Sequence, residues 1–541
     1  MKEMRRFISP SLLMLLCVVM VVGLAAGCAP AEEEEAAPEA GPQEPAYEDT
    51  IIFAIARDTD TLDNFYTTWA IPVHHLLYEP LLSRDWNNQV APGLAQSWEV
   101  SEDGLAITLK LREGMKFHDG TPVTAEAVAE YFRILTDPEV ESPSAGDFIW
   151  AKNPEVVDEL TVIFHLEEPR AYATGTLTWG GGYGGLMSAE AWKRHGPQGD
   201  NTYGVKVAVG AGPFKLEEWI PGDKHVLVRF DEYNWAPPWA PEPGPVPLQR
   251  AVFRIIPDAA TRLAELEAGT IHVLLDLPPE HATRVEEMAG VRLEKNPSWQ
   301  WIKVMFNTEA KPLDDVRVRK AINLALDREH ITETVYRGLA EPLYAYVPAR
   351  FGDEQVEDRE AHRYDPEAAK QLLAEAGYPD GFKTTLAVEN RTELVRIAEM
   401  VQKYLKDIGI EVEILQMDSA AWKDLLRSGE HEMYLKLTGW FSLDILPWFL
   451  ASWQIPYPGH GRWNDPVTDD FFRRAEGART LQERAEIYRE AQRYLIDKAV
   501  WCPILSPYTL VGVREEVEGL RFHPWYNYAR LYGVKVRKTN K

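Results

Sequence analysis

Residues 384–444 read TTLAVENRTELVRIAEMVQKYLKDIGIEVEILQMDSAAWKDLLRSGEHEMYLKLTGWFSLD. Thr384–Val388 is a short strand-like run. Thr392–Ile408 repeats apolar residues at helical spacing and stops at Gly409. Ile410–Leu415 reads as a strand, Ala420–Arg427 as a helix and Met433–Leu437 as a third strand. Strands separated by helices imply a mainly parallel sheet. Ligands in open α/β sheets sit beyond the carboxyl ends of the strands. That rule points at the residues after Leu437, which run Thr438-Gly439-Trp440-Phe441-Ser442-Leu443-Asp444.

The same grammar extends outward. Val252–Ile256 is an apolar strand, Asp258 can cap a helix running to Ala268, Gly269 can end it, and Ile271–Leu275 is the next strand. Asp365-Pro366 opens another helix, ending at Gly377. Ile51–Ala56 is a strand followed by a loop, Arg57–Asn64. Ala106–Leu111 and Leu160–Leu166 alternate as half-buried strands do, and Val123–Leu135 between them reads as a helix with Thr124 as N-cap. The pattern predicts two α/β lobes and a more β-rich region from about Trp86 to Tyr203. No internal repeat is visible.

The first residues carry an address. Lys2, Arg5 and Arg6 precede an apolar run, Leu12–Ala26, shorter than the ~20 residues that cross a bilayer. It fits an export signal. The run ends Leu24-Ala25-Ala26-Gly27-Cys28, similar to a bacterial lipobox in which Cys28 is lipidated. Ala29–Asp49, with Glu32–Glu35, Pro38, Pro42 and Pro45, reads as a flexible tether whose like charges extend it. The chain holds 57 basic and 84 acidic residues, a net charge of −27. An acidic body of this kind argues against nucleic acid and an anionic membrane surface as partners. Of three cysteines, Cys17 lies in the signal and Cys502 stands alone as a small hydrophobe, so no internal disulfide is expected.

Several motifs resemble the family 5 solute-binding proteins, the dipeptide-, oligopeptide- and nickel-binding components of ABC importers. They are Tyr78-Glu79-Pro80-Leu81-Leu82; Pro92-Gly93-Leu94-Ala95-Gln96-Ser97-Trp98-Glu99-Val100; and the run from Leu111 to Pro122 containing Phe117-His118-Asp119-Gly120. Later come Gly210-Ala211-Gly212-Pro213-Phe214, Val316–Ile322 and Leu372–Tyr378. The resemblance implies a type II periplasmic-binding-protein-like α/β fold, two α/β lobes joined by a hinge plus an inserted, β-rich lobe. Residues 1–27 would then be a lipoprotein signal and 28–49 the tether. Lobe I would be 50–85 with 204–296 and 511–541, lobe II 86–203 and lobe III 297–510. Chain crossings would fall near Asn296–Ser298 and Pro507–Leu510.

In peptide-binding members a tryptophan followed three residues later by aspartate forms the third-lobe wall, and the aspartate pairs with the ligand's amino group. Here Trp440 and Pro447 match, Leu443 takes the aspartate's place, and Asp444 stands one position later as candidate anchor. The aromatic candidates for the ligand wall are Trp440, Phe441, Trp448, Trp299, Trp301, Tyr66 and Trp69, among 18 tryptophans in the chain. Flat rings stack on sugars as well as on peptide side chains, so an oligosaccharide is the alternative ligand.

No catalytic machinery is expected. There is no Gly-x-Ser-x-Gly and no His-Glu-x-x-His, and Gly180–Gly185 lacks the Gly-Lys-Ser/Thr of a phosphate loop. His118-Asp119-Gly120 reads as a structural turn. His74 and His75 are adjacent and cannot share a helix face. Asp58, Asp60 and Asp63 have only part of a calcium loop's spacing. The implied protein is an extracytoplasmic monomer without cofactor or metal, lipid-anchored to the outer face of the cytoplasmic membrane and docking on an ABC permease.

Overall fold

The computed structural model describes residues 47–67, 70–86, 89–178, 185–237, 240, 244–440, 442–523 and 530–539, all within one compact unit that spans residues 46–541. The strand–helix units appear where local chemistry marks them. Asp258 caps the helix Ala259–Ala268 by accepting from the Thr261 N–H, and Gly269 ends it at φ 70°. Asp418 accepts from the Ala420 and Ala421 N–H groups at the start of Ser419–Ser428, and Thr124 caps Ala125–Leu135. The helix Thr392–Asp407 buries Leu394, Ile397, Ala398, Val401 and Leu405 along one face. That stripe, at i, i+3, i+4 spacing, is what seats it on the sheet.

The sheet is mixed, which corrects the expectation of a mainly parallel one. Thr50–Ile55 runs parallel to Arg250–Ile255 and to Val273–Leu274. Phe382–Glu389 runs parallel to Ile410–Met417 and Met433–Gly439. The hairpin Phe214–Ile220 with Lys224–Arg229 and the long strand Trp501–Arg514 pair antiparallel. No helix intervenes in that hairpin, so the chain turns straight back.

Trp501–Arg514 holds the two α/β halves together. Its first half pairs with the third-lobe strand Gln300–Phe306, placing Trp501 opposite Met305 and Leu505 opposite Ile302. Its second half pairs with Val291–Pro297 and Val273–Leu274 of the first lobe, placing Tyr508 opposite Pro297 and Gly512 opposite Leu274. At the changeover the buried Ser298 hydroxyl donates to the Pro507 carbonyl at 2.5 Å, and the Ser506 hydroxyl donates to the Gln300 carbonyl at 2.7 Å. These bonds pin the two crossing segments side by side.

The inserted region folds as a four-stranded antiparallel sheet ordered Ala95–Val100, Ala106–Leu111, Thr161–His165, Pro154–Asp158. Helix Ala125–Leu135 covers it, with Phe132 edge-on to Phe164 at 5.1 Å. His118 ties this region to the first lobe. Its Nδ1 accepts from the Gly210 N–H at 3.1 Å, so Nε2 donates to the Gly212 carbonyl at 3.1 Å. Burial lowers its pKa to about 4, and Gly120 closes the turn at φ 86°. Asp58 accepts from the Trp219 indole and the Gly222 N–H and faces His225. Asp63 accepts from the Trp192 indole and the Phe65 N–H. Asp58 is therefore engaged within lobe I, and Asp63 at the contact between lobe I and the inserted region. Cys502 is fully buried 3.2 Å from an Arg328 Nη, and burial pushes its thiol up to about 11.

Lys303 is the costly group in this core. It is fully buried. Its nitrogen lies 4.2 Å from the Trp301 ring centroid, 4.9 Å from Trp501 and 5.3 Å from Phe449, and it donates to the Thr438 hydroxyl at 2.8 Å. Among the described residues no carboxylate pairs with it. Burial, reinforced by Lys436, holds its amine well below the usual lysine range. Between that lowered value and the unfolded value of ~10.4 only the unfolded chain binds the proton, so the wild type gains stability with rising pH there. Lys303→Met should therefore stabilise the protein at pH 7 by about 2 kcal/mol, with the advantage shrinking toward pH 10. Urea denaturation at the two pH values reads both terms.

Candidate functional site

A cavity of about 650 Å³ lies between the first and third lobes, against the crossing strand. It forms where parallel strands of both halves end. Thr50–Ile55 delivers Ile55 and then Arg57, and Val273–Leu274 delivers Leu275 and Asp276. From the other side, Phe382–Glu389 delivers Asn390 and Arg391, and Met433–Gly439 contributes Leu437. Gln300, Tyr508 and Thr509 complete the wall at the crossing. Strand ends leave backbone groups that the sheet no longer uses, which suits a ligand with amide groups of its own.

The wall carries both charge signs. Arg391 and Glu393 form an ion pair at 2.5 Å at the start of the helix Thr392–Asp407. Asp276 stands on the first-lobe side with its backbone in the left-handed region at φ 53°. It is exposed on the cavity side, and the protein around it raises its carboxyl above the ordinary aspartate value against the pull of Arg262, Arg57 and a hydrogen bond from the Ala56 main chain.

The aromatic turn adjoins this cavity through the strand pair Gln300–Gly439. Trp440 is half-buried, and its N–H donates to the Trp299 carbonyl at 3.3 Å. Trp299 packs edge-on against Phe351 at 5.0 Å, with the Arg350 guanidinium 5.6 Å from its ring. Trp301 belongs to the third-lobe core, fully buried against Lys303. Trp448 is exposed. Tyr66 is half-buried beside Trp192 at 6.5 Å. Phe441 and Trp69 lie outside the described residues, as does Cys28. The structure therefore gathers Trp299, Trp301 and Trp440 at one strand end and leaves Tyr66 and Trp448 apart. Of these neighbours Gln300 and Leu437 touch the 650 Å³ cavity directly.

Leu443 is fully buried. Asp444 is committed elsewhere. Its carboxylate meets an Arg484 Nη at 2.5 Å and accepts from the Tyr488 hydroxyl at 3.1 Å and from Ser442. Arg484 is almost wholly buried, between the rings of Tyr172 at 4.4 Å and Tyr488 at 4.7 Å. The inserted and third lobes are in contact nearby. The Ala171 N–H donates to the Ala478 carbonyl at 3.0 Å, and Arg170 meets Glu476 at 3.2 Å. Asp147 of the inserted lobe is raised to about 6 by its enclosure and by the charge on Asp444.

Residues 89–454 match the profile of the bacterial extracellular solute-binding proteins, family 5 Middle. The chain belongs to this family. It is 29% identical over 479 residues to heme-binding protein A of Haemophilus influenzae, covering 83% of this chain and 85% of that one. It is 27% identical over 471 residues to the glutathione-binding protein GsiB of Escherichia coli, covering 84% and 88%. The solved structure of the ABC transporter-associated periplasmic binding protein DppA of Helicobacter pylori, in complex with the peptide STSA, is similar at a TM-score of 0.71 and 25% identity, covering 91% of this chain and 99% of that one. This family 5 protein is a binding protein, not an enzyme, and its fold is the type II periplasmic-binding-protein architecture.

Within this family 5 chain the Asp444–Arg484 pair reads as a structural device. Asp444→Asn should lower stability by about 2 kcal/mol, because it strands a buried guanidinium, the loss being moderated by the partial exposure of Asp444. The double variant with Arg484→Met should recover most of it. Chemical denaturation of the three proteins measures the cycle.

Proposed function

We propose that this protein captures small peptides in the cavity between its first and third lobes and delivers them to an ABC permease. The observation that carries this reading is the cavity itself. Its 650 Å³ fall within the ~300–1,000 Å³ usual for small-ligand sites, and its wall is built by both halves, so a bound solute favours the closed form by touching both. The peptide complex of the similar DppA and the glutathione-binding relative support a peptide class. The lobe boundaries in this reading are 50–85 with 204–296 and 511–541, then 86–203, then 297–510. The protein acts as a monomer, tethered by a lipid on Cys28 to the outer face of the cytoplasmic membrane.

An oligosaccharide is the second reading. Its support is the tryptophan group at the strand end and the absence of an ammonium anchor at Leu443, which lies in the core.

A calorimetric panel of di- to hexapeptides, oligosaccharides and heme separates the classes. The reading predicts binding of peptides in preference to the other two. Trp440→Ala should weaken that binding about tenfold while leaving the unfolding midpoint nearly unchanged. Undiminished affinity in that variant would remove the aromatic turn from the ligand wall.

A further inference from the structure

Three consecutive residues of the inserted lobe, Arg170, Ala171 and Tyr172, make three different contacts with the third lobe. Arg170, besides meeting Glu168 of its own lobe, pairs with Glu476 at 3.2 Å. The Ala171 N–H donates to the Ala478 carbonyl at 3.0 Å. The Tyr172 ring lies 4.4 Å from the Arg484 guanidinium, which Tyr488 of the third lobe backs at 4.7 Å. None of these residues lines the 650 Å³ cavity.

The first-lobe half carries this strap. It leads into the short helix Ala173–Thr176. Just beyond, the Leu177 carbonyl accepts from the Leu82 N–H at 3.0 Å, and the Arg84 guanidinium donates to the Thr178 hydroxyl at 3.1 Å. The main-chain joint between the halves lies elsewhere, where Trp501–Arg514 passes from one sheet to the other. A rotation about that joint therefore moves residues 170–172 against the third lobe.

The contact is built to be made and broken. Arg484 keeps its Asp444 carboxylate and the Tyr488 ring when Tyr172 withdraws, so parting strands no buried charge. The Ala171 N–H and the Ala478 carbonyl can turn to water instead. A guanidinium held between two rings adds an attraction that depends on their facing each other. Gly175 gives Tyr172 its place, because a Cβ there would meet the ring at 2.6 Å. A larger residue at that position pushes the ring off its seat without touching the third lobe.

We propose that residues 170–172 are a latch that engages Arg484 when the halves close, holding them together from outside the cavity and prolonging the stay of a captured solute. This rests on the reading that the halves close over a solute, and adds to it the contact that keeps them closed. Asp444, four residues past Trp440, is a positioning residue in this device. Its carboxylate holds the Arg484 guanidinium where the Tyr172 ring can cover it.

The test is a disulfide trap, Ala171→Cys with Ala478→Cys, whose hydrogen-bonded main chains lie within reach of a disulfide. Crosslinking by diamide is timed by gel mobility, with the chain lacking the pair as control. Without any solute the trap should close, and adding Tyr172→Leu or Gly175→Ala should slow it about fivefold while the unfolding midpoint stays near that of the paired parent. Lys152→Gln, which removes an ion pair internal to the inserted lobe, should leave the rate unchanged. Met-Leu, trialanine or tetraalanine should speed the closure of the parent. The latch is overturned if the trap closes as fast in both Tyr172→Leu and Gly175→Ala as in the parent, or if it does not close at all. If the trap depends on Tyr172 but none of the three peptides speeds it, the latch stands and the peptide reading falls.

Discussion

One strand carries the architecture. Trp501–Arg514 is hydrogen-bonded into the third lobe along its first half and into the first lobe along its second. Both sheets must therefore meet at its midpoint, and their parallel strands point their carboxyl ends at each other across it. The cavity is a consequence of that meeting. Ser298 and Ser506 reinforce the changeover with side-chain bonds to carbonyls on the neighbouring crossing segment. Such a joint can bend by changing a few backbone angles while each lobe keeps its packing.

The third lobe meets this joint with an unusually polar core. Lys303 lies among three aromatic rings, Arg484 lies between two tyrosines, and Arg328 is fully buried with its donors on the Pro503, Asn323, Leu326 and His362 carbonyls. Each is satisfied differently: by a hydroxyl, by a carboxylate and by main-chain oxygens. Buried basic groups of this kind are costly where they lack partners, and they fix side chains in place where they have them.

Much of the fold was legible in local chemistry. Asp258 with Gly269, Thr124, and the stripe from Leu394 to Leu405 are signals within a few residues of their effect. The mixed sheet was not, because antiparallel pairing of Trp501–Arg514 joins segments some two hundred residues apart. The role of Asp444 was hidden for the same reason, since its partner Arg484 lies forty residues on, in another helix. Arg57, Asp276 and Asn390 were within reach. Each stands just past the end of a parallel strand, where the rule applied to Leu437 also points. Trp301 is the opposite case: alternation along Gln300–Phe306 places it on the same face as Lys303, and only the packing above that face tells a core tryptophan from a ligand-facing one.

The central physical statement is that both halves grip one solute in the gap their strand ends enclose. A crystal structure of the protein with a bound solute tests it most directly. The account predicts density inside the 650 Å³ space, in contact with Asp276 from one half and Gln300 from the other. Density held by a single lobe, or lying outside that space, would contradict it.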